Sequence, residues 1–236
     1  LINNRRRILR VMAIGAGTLI APYSLRAAQE STELYDWNGR ALGAEADIQL
    51  YSDDRYKAKE ILDNTQKIIN KYEGMFSLYK EKSLVSQLNK FGTLSNPSPD
   101  FIKLVMLSKK FSKITNGSFD ISVQPLWNVY KNHFNEEVSG VLKEKINAVL
   151  GNIGSNKISL GQKYISFDND NMAVSFNGIA QGYITDKVSE YLSGQGFNHV
   201  LVDIGEYRAN GSQKNGEPWR VGLLDPFDEV SIADVV

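Results

Sequence analysis

Residues 172–186 read Met-Ala-Val-Ser-Phe-Asn-Gly-Ile-Ala-Gln-Gly-Tyr-Ile-Thr-Asp, an alternating apolar stretch that passes through Asn177-Gly178 into a helical pattern. This pattern predicts a strand over residues 172–176, a tight turn, and a helix that begins at Gly178. Such a junction places free backbone N–H groups at the positive end of a helix dipole, where a phosphate group is stabilised. The segment therefore predicts a phosphate-binding turn.

The composition excludes several classes of function. The chain has 236 residues, of which 42% are hydrophobic and 23% charged, as in ordinary globular proteins. It contains no cysteine, which excludes disulfides, thiolate nucleophiles and cysteine-ligated zinc. The formal charge is zero, but the first 27 residues hold arginines and no acid. The remainder is therefore acidic, which gives no electrostatic case for binding nucleic acid or an anionic membrane.

The N-terminal segment resembles an export signal. Residues 4–10, Asn-Arg-Arg-Arg-Ile-Leu-Arg, fit the twin-arginine pattern and precede a moderately apolar run over residues 11–21. That run is about half the ~20 residues that a membrane span needs. A basic amphipathic helix on a membrane surface is the alternative, but the arginines lie at one end rather than along one face. We expect residues 1–28 to be a twin-arginine signal peptide and residues 29–236 to be a periplasmic domain.

Hydrophobic periodicity indicates helices and strands in irregular alternation. Period-two alternation predicts a strand over residues 42–50, and period 3.6 predicts a helix over 54–76 with Ser52 or Asp53 as its N-cap. Ser83 caps a predicted short helix through Asn89, and Pro99 begins another that ends at Asn116-Gly117. Residues 131–139 are predicted to be a linker and a helix follows over about 140–150. The other predicted strands are 157–160, 164–167 (joined to 172–176 by a turn over 168–171), 199–204 and 219–224. We expect an α+β fold with a mixed, largely antiparallel sheet and flanking helices.

Five blocks resemble, in the right order, the ApbE family of FAD:protein FMN transferases. Residues 178–186 are similar to the family's Gly-Ile-Ala-Lys-Gly-Tyr-x-x-Asp, with Gln181 where many members have lysine. Leu42-Gly43 is similar to a Met-Gly-Thr strand opening, and residues 76–89 resemble Ser-x-Tyr followed by Ser-x-x-Ser-x-x-Asn. Residues 115–126 are similar to Thr-Gly-Gly-x-Phe-Asp-x-Thr-Val-x-Pro-Leu, and 202–211 and 219–226 match later blocks. The resemblance implies an ApbE-like domain over 29–236.

The resemblance also implies a set of site residues. It places FAD contacts at Leu42, Tyr79, Ser118, Phe119, Asp120, Ser175 and Gln181, and a Mg²⁺ ligand at the backbone carbonyl of Gly178. From pattern alone, Tyr79 could equally be a core or surface aromatic, and Phe119-Asp120 a turn with a local hydrogen bond. Ser175 stands where the family commonly has aspartate, so this position and Gln181 supply no charge.

The implied activity is cleavage of the FAD diphosphate, with transfer of FMN to a threonine hydroxyl of a target flavoprotein and release of AMP, assisted by Mg²⁺. Twin-arginine export and Gln181 suit the branch that serves nitrous-oxide reductase, whose acceptor would be a membrane respiratory subunit. The family's His-x-x-Asp-Pro-x-Thr-Gly block, which holds the other Mg²⁺ ligands, is not in this sequence, so we expect a C-terminally truncated chain that is inactive alone. A periplasmic FAD-binding or FAD-hydrolysing protein without an acceptor, and a flavin carrier, are the alternatives.

Overall fold

The computed structural model describes residues 32–135, 142–161, 163–225 and 232–235. The predicted signal peptide, residues 1–28, and the part of the predicted linker over 136–139 lie outside these ranges. The helices are α1 (Arg55–Phe76), α2 (Leu84–Phe91), α3 (Pro99–Ile114), α4 (Gln124–Asn135), α5 (Leu142–Leu150) and α6 (Ala180–Gly194). The strands are β1 (Glu33–Ala41), β2 (Ala44–Ser52), β3 (Thr93–Ser95), β4 (Ile158–Leu160), β5 (Tyr164–Phe167), β6 (Val200–Asp203), β7 (Tyr207–Asn210), β8 (Gly222–Leu224) and β9 (Ile232–Val235).

Three antiparallel sheets organise the chain. Their strand orders are β1-β2-β6-β7, β3-β5-β4 and β8-β9, and each strand pair in the described ranges is antiparallel. Helices α1 and α6 pack against each other and against the four-stranded sheet, whose inner face presents Ile48 and Val202, both fully buried. The rings of Phe76, Phe101 and Phe176 pack with centroids 5.4–5.8 Å apart and join α1, α3 and the segment before α6. The predicted α+β class is confirmed.

The helix predictions hold where local signals are strong. Helix α1 spans Arg55–Phe76, close to the predicted 54–76. Its N-cap is Asp54, whose carboxylate accepts from Tyr56 N–H and Lys57 N–H, so the predictions of Ser52 and Asp53 are wrong. The Ser83 cap and the helix start at Pro99 are confirmed. The prediction of a linker from residue 131 is wrong at its beginning, because α4 continues through Asn135. Helix α6 begins at Ala180 rather than at Gly178, after a turn over 177–179.

The strand prediction over residues 172–176 is wrong. This segment is extended but joins no sheet. Its backbone groups are satisfied elsewhere: Val174 exchanges two hydrogen bonds with the Asn89 side chain, and Ser175 N–H donates to the Ile121 carbonyl at 2.8 Å. Alternating apolar residues here mark burial of Met172, Val174 and Phe176 rather than strand pairing.

The predicted strand opening at Leu42 is a hairpin turn. Leu42 and Gly43 both have positive φ, at 50° and 85°, and they connect Ala41 of β1 to Ala44 of β2. Two residues in the left-handed region give a tight connection whose twist matches that of the flanking strands. Strand β1 was not among the predicted strands. It pairs with one edge of β2 along the whole length of that strand. None of the helices in the described residues is long and apolar enough to cross a membrane.

Candidate functional site

One end of the four-stranded sheet gathers several of the predicted site residues. Strand β6 runs antiparallel to β2, with Asp203 opposite Asp47, so the turn after β6 lies at the same end as the Leu42-Gly43 turn. The start of α6 also reaches this end, because the Gln181 amide packs on Gly205. A methyl group added to Gly205 would lie 2.2 Å from Gln181 Nε2.

A cavity of about 660 Å³ opens beside this contact, within the range of small-molecule sites. It is bounded by α3, the 177–179 turn, the first two turns of α6 and the β6–β7 turn. Its lining residues are Leu107, Phe111, Thr115, Phe119, Asn177, Gly178, Ile179, Gln181, Gly182, Tyr183, Thr185, Asp186, Glu206, Tyr207 and Arg208.

The residues that line the cavity are of two chemical kinds. Leu107, Phe111, Phe119 and Ile179 are apolar, and the rings of Phe111 and Phe119 meet edge to face with centroids 6.2 Å apart. Gln181, Asp186, Glu206 and Arg208 are polar or charged and come from α6, the β6–β7 turn and the start of β7. Apolar and charged groups in one cavity suit a ligand that joins a flat ring system to charged groups.

The turn before α6 is closed by its own backbone. Ile179 N–H and Ala180 N–H both donate to the Phe176 carbonyl, at 2.9 and 2.7 Å. No side chain caps the start of α6, so its first-turn N–H groups lack the usual side-chain acceptor. These groups adjoin the cavity, where an anion would be stabilised by the helix dipole.

Three of the predicted residues line the cavity: Phe119, Gly178 and Gln181. Gly178 faces Phe119 closely, since a methyl group there would lie 3.3 Å from Phe119 Cε2. Ser175 lies just before the turn, and its Oγ accepts from Asn177 N–H at 3.3 Å. The structure therefore brings the Gly178 turn and the Phe119 loop together, as a shared site requires.

Tyr79 lies against the Leu42-Gly43 turn, outside the cavity lining. A methyl group on Gly43 would lie 3.3 Å from Tyr79 Cε2, and the Tyr79 side chain is 69% exposed. Leu42 N–H donates to Glu73 Oε1 at 2.8 Å, and Glu73 Oε2 accepts from Lys80 at 2.5 Å. These residues form a second surface at the same end of the sheet.

The carboxylate of Asp120 accepts hydrogen bonds from neighbouring groups of the protein. Oδ1 accepts from the N–H and hydroxyl of Ser122, at 2.9 and 2.7 Å, and Oδ2 accepts from Ser155 N–H at 2.8 Å and Ser112 Oγ at 3.2 Å. Burial alone would raise the pKa of Asp120, but these hydrogen bonds outweigh it and the pKa lies below its usual value. The neighbouring Ser118 N–H donates to the Thr115 carbonyl at 3.0 Å, and Phe119 N–H to Thr115 Oγ1 at 3.0 Å. This network fixes the loop that carries Phe119 into the cavity.

A second polar cluster supports the cavity from behind. The Tyr183 hydroxyl donates to Asp100 Oδ1 at 3.3 Å, while Asp100 Oδ2 accepts from Lys71 at 2.9 Å and from Tyr72 at 3.4 Å. Burial, together with the negative charge of Asp100, raises the pKa of Tyr183 to about 12. Tyr183 is therefore a neutral hydrogen-bond donor at physiological pH, and it ties α6 to α1 and α3.

Sequence reasoning missed several lining residues, namely Leu107, Phe111, Asp186, Glu206 and Arg208. Asp186 is the last residue of the 172–186 segment, and Arg208 lies in the 202–211 block, but neither was assigned a role from the sequence. Their proximity is a tertiary feature: the Arg208 guanidinium on β7 pairs with the Asp186 carboxylate on α6, 22 residues earlier.

The oxygen donors of the cavity are of the chemical kind that binds Mg²⁺. No group of three or more histidine, aspartate and glutamate residues in the described ranges is placed to hold a metal ion. Gly178 offers a backbone carbonyl, and Asp186 and Glu206 offer carboxylates along the same lining. Mg²⁺ binds with few protein ligands when substrate phosphates and waters complete its shell, and the donor chemistry fits that mode.

The comparisons with known proteins converge on one family. The model of the ApbE family matches residues 42–236. An FAD:protein FMN transferase from Vibrio cholerae is 26% identical over 187 residues, and one from Escherichia coli K12 is 24% identical over 220 residues. The chain superposes on the flavin transferase ApbE from Vibrio cholerae with a TM-score of 0.74 at 25% identity, covering 86% of this chain and 68% of that one. It also superposes on the apo form of the flavinyl transferase ApbE from Pseudomonas stutzeri with a TM-score of 0.71 at 23% identity, covering 81% and 63%.

The aligned region is a large part of this chain and a smaller part of its relatives. It covers 76% of this chain and 55% of the Vibrio cholerae transferase, and 89% and 62% for the Escherichia coli transferase.

Proposed function

The chain belongs to the ApbE family, and on that premise we propose that it forms the flavin-binding part of an enzyme that transfers FMN from FAD to a target protein. The observation that carries this proposal is the cavity at the start of α6, which combines an aromatic wall with charged groups and an uncapped helix start. The relatives' common name, FAD:protein FMN transferase, supports the same substrate.

The lining suggests how FAD is held. The isoalloxazine ring is flat and apolar on its faces, and it suits the wall formed by Leu107, Phe111 and Phe119. The diphosphate suits the start of α6, where N–H groups and the helix dipole favour negative charge. Tyr79 and Leu42, on the neighbouring surface, are available to the part of FAD that extends beyond the cavity.

The reaction needs the charge on the diphosphate to be neutralised and an acceptor hydroxyl to be held in line with the bond that breaks. Mg²⁺ would supply most of that neutralisation by coordinating the phosphate oxygens, with the Gly178 carbonyl as its protein ligand in this chain. The threonine oxygen of the acceptor forms a bond to the FMN phosphorus as the bond from that phosphorus to the bridging oxygen of the diphosphate breaks. AMP leaves with the bridging oxygen, and the hydroxyl proton passes to water. Gly178 permits close approach to the metal because it has no side chain at the turn.

The setting of the reaction follows from the N-terminal sequence. The twin-arginine pattern of residues 4–10 supports export to the periplasm, and a membrane respiratory subunit with an acceptor threonine is the partner that we propose there.

Two measurements test the proposal. Isothermal titration of the 236-residue chain with FAD should show saturable binding, and riboflavin should bind more weakly because it lacks the diphosphate. The chain and any longer product of its gene should then be incubated with FAD, Mg²⁺ and a threonine-bearing acceptor. Acid-stable flavin fluorescence on the acceptor, with AMP release, supports transfer. Release of free FMN with AMP would instead indicate hydrolysis, and binding without AMP would indicate a carrier.

A further inference from the structure

We propose that Arg208 binds the diphosphate of the substrate in this cavity, and that Asp186 holds Arg208 in place and competes with the phosphate for it. This inference rests on the proposed use of FAD. It assigns the anion-binding role to a residue outside the set suggested by the family resemblance.

The charges of the lining point to Arg208. Among the described residues that line the cavity, it alone carries a positive charge, whereas Asp186 and Glu206 are acidic. Gln181 occupies the position where many family members have lysine, but it is neutral, and its amide packs on the backbone at Gly205. A dianionic group in this cavity therefore has one side chain to attract it.

The placement of Arg208 suits that role. It lies on β7, opposite Val202 of β6, so its backbone is held by the sheet ladder rather than by a loop. A guanidinium carries five N–H donors in a planar fork, and the contact with Asp186 joins Nη1 to Oδ1. The remaining donors can serve a phosphate, for which the fork geometry is well suited.

The pair with Asp186 is weak enough to be displaced. Its side chains are 42% and 55% exposed, for Arg208 and Asp186 respectively. Exposed ion pairs contribute little to stability because water screens them and long side chains lose freedom. The diphosphate of FAD carries two negative charges against one on the carboxylate, and its oxygens can accept two hydrogen bonds from the fork, so it can exchange with Asp186 at Arg208.

Ligands with and without a diphosphate separate this role from a structural one. FAD, riboflavin and inorganic pyrophosphate should each be titrated into the wild-type chain, Arg208→Gln, Asp186→Asn and Arg55→Gln. Arg55 is an exposed arginine at the start of α1, at the opposite end of β2 from the cavity, and provides the matched control. Circular dichroism and thermal unfolding verify that each variant folds.

Arg208→Gln should weaken the binding of FAD and of pyrophosphate by about tenfold or more, which is the contribution of a charge-assisted hydrogen bond. It should change the affinity for riboflavin by less than about twofold. Asp186→Asn should strengthen pyrophosphate binding severalfold, because it removes the competing carboxylate. If the pair of Arg208 and Asp186 were purely structural, this variant would bind pyrophosphate no better than wild type. Arg55→Gln should match wild type.

The outcomes distinguish this inference from the proposed function. Three results would overturn the role of Arg208. They are an unchanged FAD affinity in Arg208→Gln, a loss of riboflavin affinity equal to the loss of FAD affinity in that variant, and no pyrophosphate binding by wild type. Pyrophosphate binding that depends on Arg208, in a chain that does not bind FAD, would uphold the anion site and refute the flavin substrate.

Discussion

The side chain of Asn89 makes both hydrogen bonds of a strand neighbour to Val174: Nδ2 donates to the Val174 carbonyl at 2.8 Å, and Val174 N–H donates to Oδ1 at 2.7 Å. The two residues are 85 positions apart, and the contact joins α2 to the extended segment that leads into the Gly178 turn. An amide is the side chain that provides one donor and one acceptor in this spacing. Asn89 therefore holds one edge of the cavity in position.

Asn89→Asp should lower the free energy of unfolding by about 2 kcal/mol, because the carboxylate keeps the acceptor but leaves the buried Val174 carbonyl without a donor. Urea unfolding measures the loss. The same variant should weaken FAD binding, because residues 172–176 position the turn. Asn64→Asp, on the surface of α1, is the matched control and should change stability by less than about 0.5 kcal/mol. Equal effects of the two substitutions would contradict the role of Asn89.

Gly205 is the residue against which Gln181 packs. Its φ is +79°, and an added methyl group would lie 2.2 Å from Gln181 Nε2. Gly205→Ala should therefore combine backbone strain of about 1–2 kcal/mol with a steric clash. Gly216→Ala provides a matched control for the strain alone, since its φ is +82° and no atom lies within 4 Å of the added methyl group.

In urea unfolding, Gly205→Ala should cost at least about 1 kcal/mol more than Gly216→Ala, and Gln181→Ala should recover most of that difference. The coupling between the two positions in this double-mutant cycle isolates the contact. Purely additive effects would show that Gln181 does not pack on Gly205 in solution.

The carboxylate of Asp120 should make stability depend on pH. Its pKa is lowered in the folded state by hydrogen bonds that outweigh burial. Its stabilising contribution is therefore fully present above the unfolded value, about 3.9, and is lost as the pH falls through the lower folded value. Asp120→Asn should cost about 2 kcal/mol at pH 7 and progressively less below pH 4. Denaturant unfolding between pH 7 and pH 2.5 measures this trend, and Asp63→Asn, exposed on α1, provides the control. A cost independent of pH would contradict it.

Asp47 and Asp203 face each other on neighbouring strands, in a row with Asn38 and Tyr207 across the outer face of the sheet. Burial, and for Asp47 also the charges of Asp36 and Asp203, raises the pKa of both carboxyl groups. The folded state then holds these protons more tightly than the unfolded chain. Stability is consequently greatest below the ordinary carboxyl value and falls as the pH rises through the raised folded values.

Asp47→Asn should increase the free energy of unfolding at pH 7 by up to about 1 kcal/mol, the usual size of a cross-strand charge effect, and the gain should vanish near pH 4. Thermal unfolding across this pH range measures it. In the double variant of Asp47→Asn and Asp203→Asn, the second substitution should add less stability than Asp203→Asn adds to the wild type, because Asp47→Asn has already removed the repulsion between the two carboxylates. A gain that persists at low pH would exclude charge as the cause.

Two helix starts were predictable because their signals are local. Ser83 caps α2 and Pro99 begins α3 as expected, since a hydroxyl cap and a proline at the first helical position act within four residues. The burial of alternate residues in 172–176 was also correctly indicated, but not its partner. A period of two reports which side chains are buried, whereas pairing depends on which element packs alongside.

The sequence determined the class of the fold and the order of its main helices, because hydrophobic periodicity is written along the chain, and the resemblance to the family implied that Phe119, Gly178 and Gln181 belong to one site. Only the tertiary structure decided how these residues are used. In the folded protein the Asp120 carboxylate accepts hydrogen bonds from three serines, and Leu42 and Tyr79 lie on a separate surface. Arg208 pairs directly with Asp186 in the cavity lining. The contacts of Asp120 with Ser155 and of Arg208 with Asp186 join residues far apart in sequence, and they depend on the packing of separate elements, which no local pattern records.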